Sequence, residues 1–228
     1  MFPDPRRHSV KICGITQPEQ AAELFRLGAD AVGINLWPQS KRHLPLAVAE
    51  CSLQEVAAQH PLVAVLVNPA AALLDAAVAS GLFTALQLHG DETPQEVERL
   101  MQRGVNVIKA LQVRDAASLA QIGDFPCDAI LLDAYNPGTY GGGGHAFPWE
   151  LAERAREMFP AKHVLLSGGL VPDNVRAAVQ QTQPIAVDVA SGVESQPGIK
   201  DLAQVARFIA EARAGWSTAA ARVSSRPA

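Results

Sequence analysis

Five side chains in this sequence have the chemistry of an active site and lie at or beside the ends of apolar stretches: Lys11, Cys13, Arg42, His89 and Asp133. Cys13 ends the run Val10-Lys11-Ile12-Cys13, which Gly14 stops, and Thr16 with Pro18 then supplies the signals of a helix start. In a strand, side chains alternate, so Lys11 and Cys13 share one face and Val10 and Ile12 the other. A lysine and a cysteine make a poor core face but suit a ligand. Taken alone, the tetrad reads better as a structural cysteine beside a lysine whose stem lies along apolar surface, and the rest of the chain is what shifts the reading.

Cys13 and Asp133 form the evident acid/base pair at such ends. A thiolate removes a proton from carbon when its pKa approaches ambient, and a carboxylic acid donates one when burial keeps it protonated. Lys11, on the same face as Cys13, is expected to favour the thiolate and so lower the pKa of the thiol. A nucleophilic Cys13/His89 pair is the competing reading, and it lacks a third, orienting residue. His89 and Gln87 read instead as hydrogen-bonding walls of a pocket. Arg42, within Lys41-Arg42-His43, offers a planar fork for a carboxylate, although a solvated loop explains the same residues.

Repeated units of one kind carry these residues. Apolar runs at Val10–Cys13, Ala31–Leu36, Leu62–Val67, Thr84–Leu88, Val105–Ala110, Ala129–Asp133, Val164–Ser167 and Ile185–Ala190 are each followed by an amphipathic segment rich in Ala, Leu, Glu and Arg. Eight strands alternating with eight helices, the strands almost continuously apolar, predict an α/β protein, a single (β/α)8 TIM barrel. The alternative, an open doubly wound sheet, lacks a glycine-rich dinucleotide fingerprint after its first strand. We expect residues 1–214 to form the barrel and residues 215–228, ending Ser-Ser-Arg-Pro-Ala, to be a flexible C-terminal tail.

A barrel of this kind works at the carboxyl ends of its strands. Two of those ends are glycine loops, Ser167-Gly168-Gly169-Leu170 and Ala190-Ser191-Gly192. Free backbone N–H groups in both, with a short helix after the second, make Gly168, Gly169, Ser191 and Gly192 a candidate phosphate site. A ligand held there and by Arg42 is anionic at both ends.

Composition narrows the partners. With 48% hydrophobic residues the chain has ample core, and at net charge −4, without basic clusters or interleaved aromatics, nucleic acid is not expected. No apolar run approaches the roughly 20 residues of a membrane span, and no signal peptide is read at the start. Three cysteines, Cys13, Cys51 and Cys127, lack metal or redox spacing, so no metal is expected and a cytoplasmic location is.

Lys11-Ile12-Cys13-Gly14-Ile15-Thr16, Gln87-Leu88-His89-Gly90, Leu131-Leu132-Asp133-Ala134, Ser167-Gly168-Gly169-Leu170 and Asp188-Val189-Ala190-Ser191-Gly192-Val193-Glu194 occur in the order seen in one family. Together with Pro197-Gly198-Ile199-Lys200-Asp201, the chain resembles the phosphoribosylanthranilate isomerases of tryptophan biosynthesis. The resemblance implies a cofactor-free (β/α)8 isomerase acting on N-(5-phosphoribosyl)anthranilate, as a monomer or homodimer. It implies Cys13 as general base, Asp133 as general acid, Arg42 for the anthranilate carboxylate and the two glycine loops for the phosphate. A related histidine-pathway isomerase is expected to carry an aspartate where Cys13 stands, and a metal-dependent epimerase needs more ligands than His89 supplies. A catalytically silent phosphate-binding barrel is the remaining alternative. One segment departs from the family pattern: Gly141-Gly142-Gly143-Gly144-His145-Ala146-Phe147-Pro148-Trp149 lacks the hydroxyl usual at 143 and has Pro148 for an aspartate, which puts the ordering of that loop and the affinity for substrate in question.

Overall fold

A computed structural model describes residues 2–134 and 147–224. Its centre is a closed barrel of parallel strands in sequence order: β1 (Ser9–Cys13), β2 (Ala31–Asn35), β3 (Leu62–Leu66), β4 (Ala85–Leu88), β5 (Val107–Val113), β6 (Ala129–Ala134), β7 (His163–Leu166) and β8 (Ala186–Val189). β8 returns to pair with β1 in the register Lys11↔Asp188, which removes both sheet edges. All eight strands lie on the apolar runs expected, and the expected fold is the one observed.

Two apolar clusters follow from the alternation of side chains. Outward positions such as Val10, Ile12, Val32, Ile34, Leu132 and Val187 pack under the surrounding helices. Inward positions Ala31, Val63, Ala85, Ile108, Ala129, Leu131, Leu165 and Ala186 fill the barrel together with Phe2. Each fully buried Val, Leu, Ile or Phe contributes roughly 1.5–3 kcal/mol, so these two layers specify the fold. The inward parity then changes character toward the carboxyl ends. Ala85 leads to Gln87, Ala129 and Leu131 lead to Asp133, and Ala186 leads to Asp188. Apolar filling below and polar groups above therefore come from one periodicity.

The outer layer is less regular than eight equal helices. It comprises α1 (Gln20–Arg26), α2 (Leu46–Ser52), α3 (Gln54–Ala57), α4 (Ala71–Ala79), α5 (Pro94–Gln102), α6 (Trp149–Met158), α7 (Val175–Thr182) and α8 (Leu202–Ser224). The connection after β2 is split into α2 and α3, and that after β5 is a 3-10 helix, Ala117–Asp124. Pro148 stands immediately before α6, where its missing N–H is harmless. After β8 a 3-10 turn, Ser191–Val193, leads into a small antiparallel hairpin, β9 (Glu194–Gln196) and β10 (Ile199–Lys200). Among the described residues no helix is long and apolar enough to cross a membrane.

The boundary expected at Ala214 falls inside α8, so residues 215–224 continue the last helix and are not a tail. Trp216 is buried, its Nε1 donates to Pro184 O at 2.9 Å, and His8 stacks on its ring at 4.8 Å. A serine- and alanine-rich composition concealed one aromatic anchor that holds the last helix to the amino-terminal rim. Trp216→Ala is expected to destabilise the protein by roughly 3–5 kcal/mol through the lost ring and the orphaned carbonyl. Denaturant unfolding checks this; a loss below about 1 kcal/mol, the scale of an ordinary surface change, would mean that α8 contributes little beyond Ala214.

Candidate active site

Lys11 is wholly buried and points into the barrel, where its Nζ lies 2.7 Å from Asp188 Oδ1. The two belong to adjacent, register-matched strands, so closure of the barrel itself forms the pair. Burial alone would depress the Lys11 ammonium; the negative charges of Asp188 and Cys13 outweigh it and raise its pKa. Ser167 Oγ approaches the other Asp188 oxygen at 3.5 Å. Cys13 stands two residues beyond Lys11 and is 8% exposed. Its partner in register is Gly33, where an added Cβ would come within 2.6 Å of Cys13 Sγ and 3.0 Å of Lys11 Nζ. Glycine on β2 thus gives the thiol and the ammonium room to point inward. Nothing in the sequence around residue 33 marks that role.

At the thiol the expected effect of Lys11 is present but outweighed. Burial pushes the Cys13 pKa above its ordinary 9.0, and Asp188 pushes it the same way; the opposing pull of Lys11 and Lys200 does not overcome them. Lys11 does act in the direction expected, but its charge is shared with Asp188.

Asp133 ends the inward row of β6 and is 5% exposed. Its Oδ1 accepts from the N–H of Ala134 at 2.9 Å, and its Oδ2 lies 3.3 Å from His89 Nε2, close but not aligned as a hydrogen bond. Gln87 Nε2 sits 3.3 Å from His89 Nδ1. Gly168, with φ +84°, allows the loop after β7 to approach: a Cβ there would lie 2.7 Å from Ala134 N and 3.1 Å from Asp133 Oδ1. His89 is held from behind. Lys109 on β5 donates to Leu88 O (3.2 Å), Gly90 O (2.7 Å) and Glu92 Oε2 (2.8 Å), while Glu92 accepts from the N–H groups of Asn68 and Gly90. His89 and Asp133 come together as a pair; no contact joins His89 to Cys13, and the nucleophilic reading has no support in the geometry.

Arg42 is not an unattached fork. Glu194 accepts from its Nε at 2.8 Å and from its Nη2 at 2.7 Å, so the guanidinium arrives already gripped along one edge. That contact raises the Arg42 pKa. Burial pushes the Glu194 carboxyl upward, but Arg42 and Lys200 overcome it and hold it below its ordinary 4.5. Local sequence carried no sign of this, because the partners lie 152 positions apart.

The two glycine loops lie side by side. Gly168 and Gly169 both have positive φ, and neither N–H donates to another described residue. Asn174 braces this loop, donating to Gly169 O at 2.9 Å and accepting from Val171 N at 2.8 Å. At Gly192 a Cβ would collide with Leu170 O, so the backbone after β8 packs against the backbone after β7. Ser191 opens the 3-10 turn and is exposed. The altered segment Gly141–Gly144 lies outside the described residues. Among the described residues no cluster of His, Cys, Asp or Glu could hold a metal ion.

A family model described as N-(5'-phosphoribosyl)anthranilate isomerase matches residues 10–211. The N-(5'-phosphoribosyl)anthranilate isomerase of Rubrobacter xylanophilus is 44% identical over 210 residues, covering 90% of this chain and 98% of its own. The crystal structure of the Thermotoga maritima phosphoribosyl anthranilate isomerase superposes with a TM-score of 0.80 at 38% identity, covering 90% of this chain and 98% of that one. A phosphoribosyl anthranilate isomerase in complex with reduced 1-(o-carboxyphenylamino)-1-deoxyribulose 5-phosphate superposes with a TM-score of 0.75 at 36% identity, over 90% and 98% of the two chains.

The charge arrangement around Cys13 makes a testable statement. Asp188→Asn removes a carboxylate that disfavours the thiolate and releases the Lys11 ammonium toward the sulfur. The Cys13 pKa, elevated in the native protein, should therefore fall. The pH dependence of alkylation at Cys13, followed by peptide mapping, reads this directly. An unchanged or raised midpoint in Asp188→Asn would show that burial alone sets the thiol.

Proposed function

The chain belongs to the N-(5'-phosphoribosyl)anthranilate isomerase family, and from that premise we propose that it converts N-(5-phosphoribosyl)anthranilate into 1-(2-carboxyphenylamino)-1-deoxyribulose 5-phosphate, an Amadori rearrangement of tryptophan biosynthesis. It is an enzyme of the aldose–ketose isomerase class. The observation that carries the mechanism is that a thiol and a carboxyl, Cys13 and Asp133, are both nearly buried and inward-facing on strands three steps apart around one barrel.

In this reading Asp133 donates a proton to the furanose oxygen, and the C1–O bond breaks to leave a Schiff base. Cys13, as thiolate, removes the proton from C2, which yields an enolamine. Tautomerisation of the enolamine gives the ketone. One acid and one base suffice, because the substrate's own nitrogen accepts the electrons that a cofactor would otherwise take. The elevated Cys13 pKa leaves less thiolate at neutral pH but makes that thiolate a stronger base. Activity should therefore climb with pH toward the thiol's own range wherever Cys13 ionisation governs the rate.

Binding follows the same division. Arg42 receives the anthranilate carboxylate, and the N–H groups of Gly168, Gly169, Ser191 and Gly192 receive the phosphate. Gln87 Oε1 and His89 Nε2 are buried without a hydrogen-bond partner among the described residues, as groups that meet a ligand's hydroxyls would be. Lys11 lines the floor beside Cys13. The three free cysteines suit a reducing cytoplasm.

Loss of the fluorescence of N-(5-phosphoribosyl)anthranilate on adding purified protein tests the activity. Cys13→Ser and Asp133→Asn are each expected to fold and to lose roughly 10²–10⁴-fold in kcat. Near-native turnover in either would remove that residue from the mechanism. Arg42→Ala should raise KM for the substrate and leave inhibition by inorganic phosphate unchanged. Equal weakening of both ligands would mean that Arg42 does not serve the carboxylate end.

A further inference from the structure

Glu194 and Lys200 face each other across the β9/β10 hairpin, in register. Lys200 Nζ donates to Glu194 Oε1 at 2.7 Å, to Cys13 O at 2.6 Å and to Ala190 O at 3.2 Å. One buried ammonium thus joins the end of β1, the end of β8 and the carboxylate that grips Arg42. Gly198, in the hairpin turn, donates its N–H to Glu194 Oε1 at 3.1 Å, and its carbonyl receives the N–H of Thr16 at 2.9 Å. The hairpin is therefore docked on the turn after β1. On that turn Gly14 has φ +77°, and a Cβ there would lie 2.5 Å from Arg42 Cδ, so the arginine stem crosses directly over it.

We propose that Glu194 and Lys200 are positioning residues for Arg42, fixing the guanidinium by its Nε–Nη2 edge so that its remaining N–H donors meet the substrate carboxylate. The inference rests on the isomerase reading and deepens it. An unattached arginine must surrender rotamer freedom each time it grips a ligand, whereas one held by a bidentate carboxylate has surrendered it on folding. Charge adds a second reason for the triad. Arg42 and Glu194 alone sum to zero and would offer a ligand carboxylate no net attraction, with Glu194 repelling it nearby. The Lys200 ammonium leaves the group at one positive charge, matched to one carboxylate.

Steady-state kinetics on N-(5-phosphoribosyl)anthranilate test this. Glu194→Gln loses the charge and has one acceptor oxygen where the carboxylate offers one to each Arg42 nitrogen, and its KM should rise by about 10- to 100-fold, the scale of a lost charge-assisted contact, with a smaller change in kcat and no change in inhibition by inorganic phosphate. Because Glu194 acts through Arg42, adding Glu194→Gln to Arg42→Ala should change kcat/KM by less than about twofold. Glu194→Asp keeps the charge but is one methylene too short to span Arg42 and Lys200, and it should raise KM as well; it carries the test if the Gln variant does not fold. Native KM in Glu194→Asp, a fall in kcat at unchanged KM, or independent addition of the two substitutions would each overturn the proposal while the isomerase reading stood. A native protein that leaves the substrate's fluorescence unchanged would overturn both.

Discussion

Closing eight parallel strands into a barrel commits alternate side chains of every strand to one shared interior, and the rest of this structure follows from that commitment. The lower interior is filled by Ala31, Val63, Ala85, Leu131, Leu165 and Ala186. Near the carboxyl ends the same parity delivers Lys11, Cys13, Gln87, Asp133 and Asp188 into a space walled by apolar residues. The enclosure that excludes water from the core also strengthens the electrostatic interactions of those groups. Function and stability are thus two stretches of one periodic pattern.

Charges placed in such an interior need partners, and three buried lysines show how this is arranged. Lys11 meets Asp188 across the seam that closes the barrel, Lys109 meets Glu92 behind His89, and Lys200 meets Glu194 beneath Arg42. Buried ion pairs are poor sources of net stability, since desolvation offsets most of the attraction. Their value here is geometric. Two of them also donate to backbone carbonyls and so hold loops of the mouth: Lys109 the turn after β4, Lys200 the ends of β1 and β8.

The pair proposed as base and acid sits within this lattice of fixed charges. Burial first, and then Asp188, which also neutralises Lys11, disfavour the Cys13 thiolate, so the thiol keeps its proton more tightly than an exposed cysteine does. Close packing reinforces the placement: Gly33 under Cys13 and Gly168 beside Asp133 are positions where even a methyl group would intrude.

Much of this was legible in one dimension. Apolar runs and their alternation determined the eight strands, their inward faces and the fold, and the residues ending those runs determined which groups face the mouth, because a period of two is a local property of the chain. The last helix was misread because one buried tryptophan among small residues leaves no periodic trace. The pairing of Arg42 with Glu194, the reach of Lys200 to Cys13 O and the net upward push on the thiol were decided only by the tertiary structure. Those partners lie between 152 and 187 positions apart and meet because β8 closes on β1. No pattern within either segment records that meeting, and the field at Cys13 is the sum of charges that only closure brings into range.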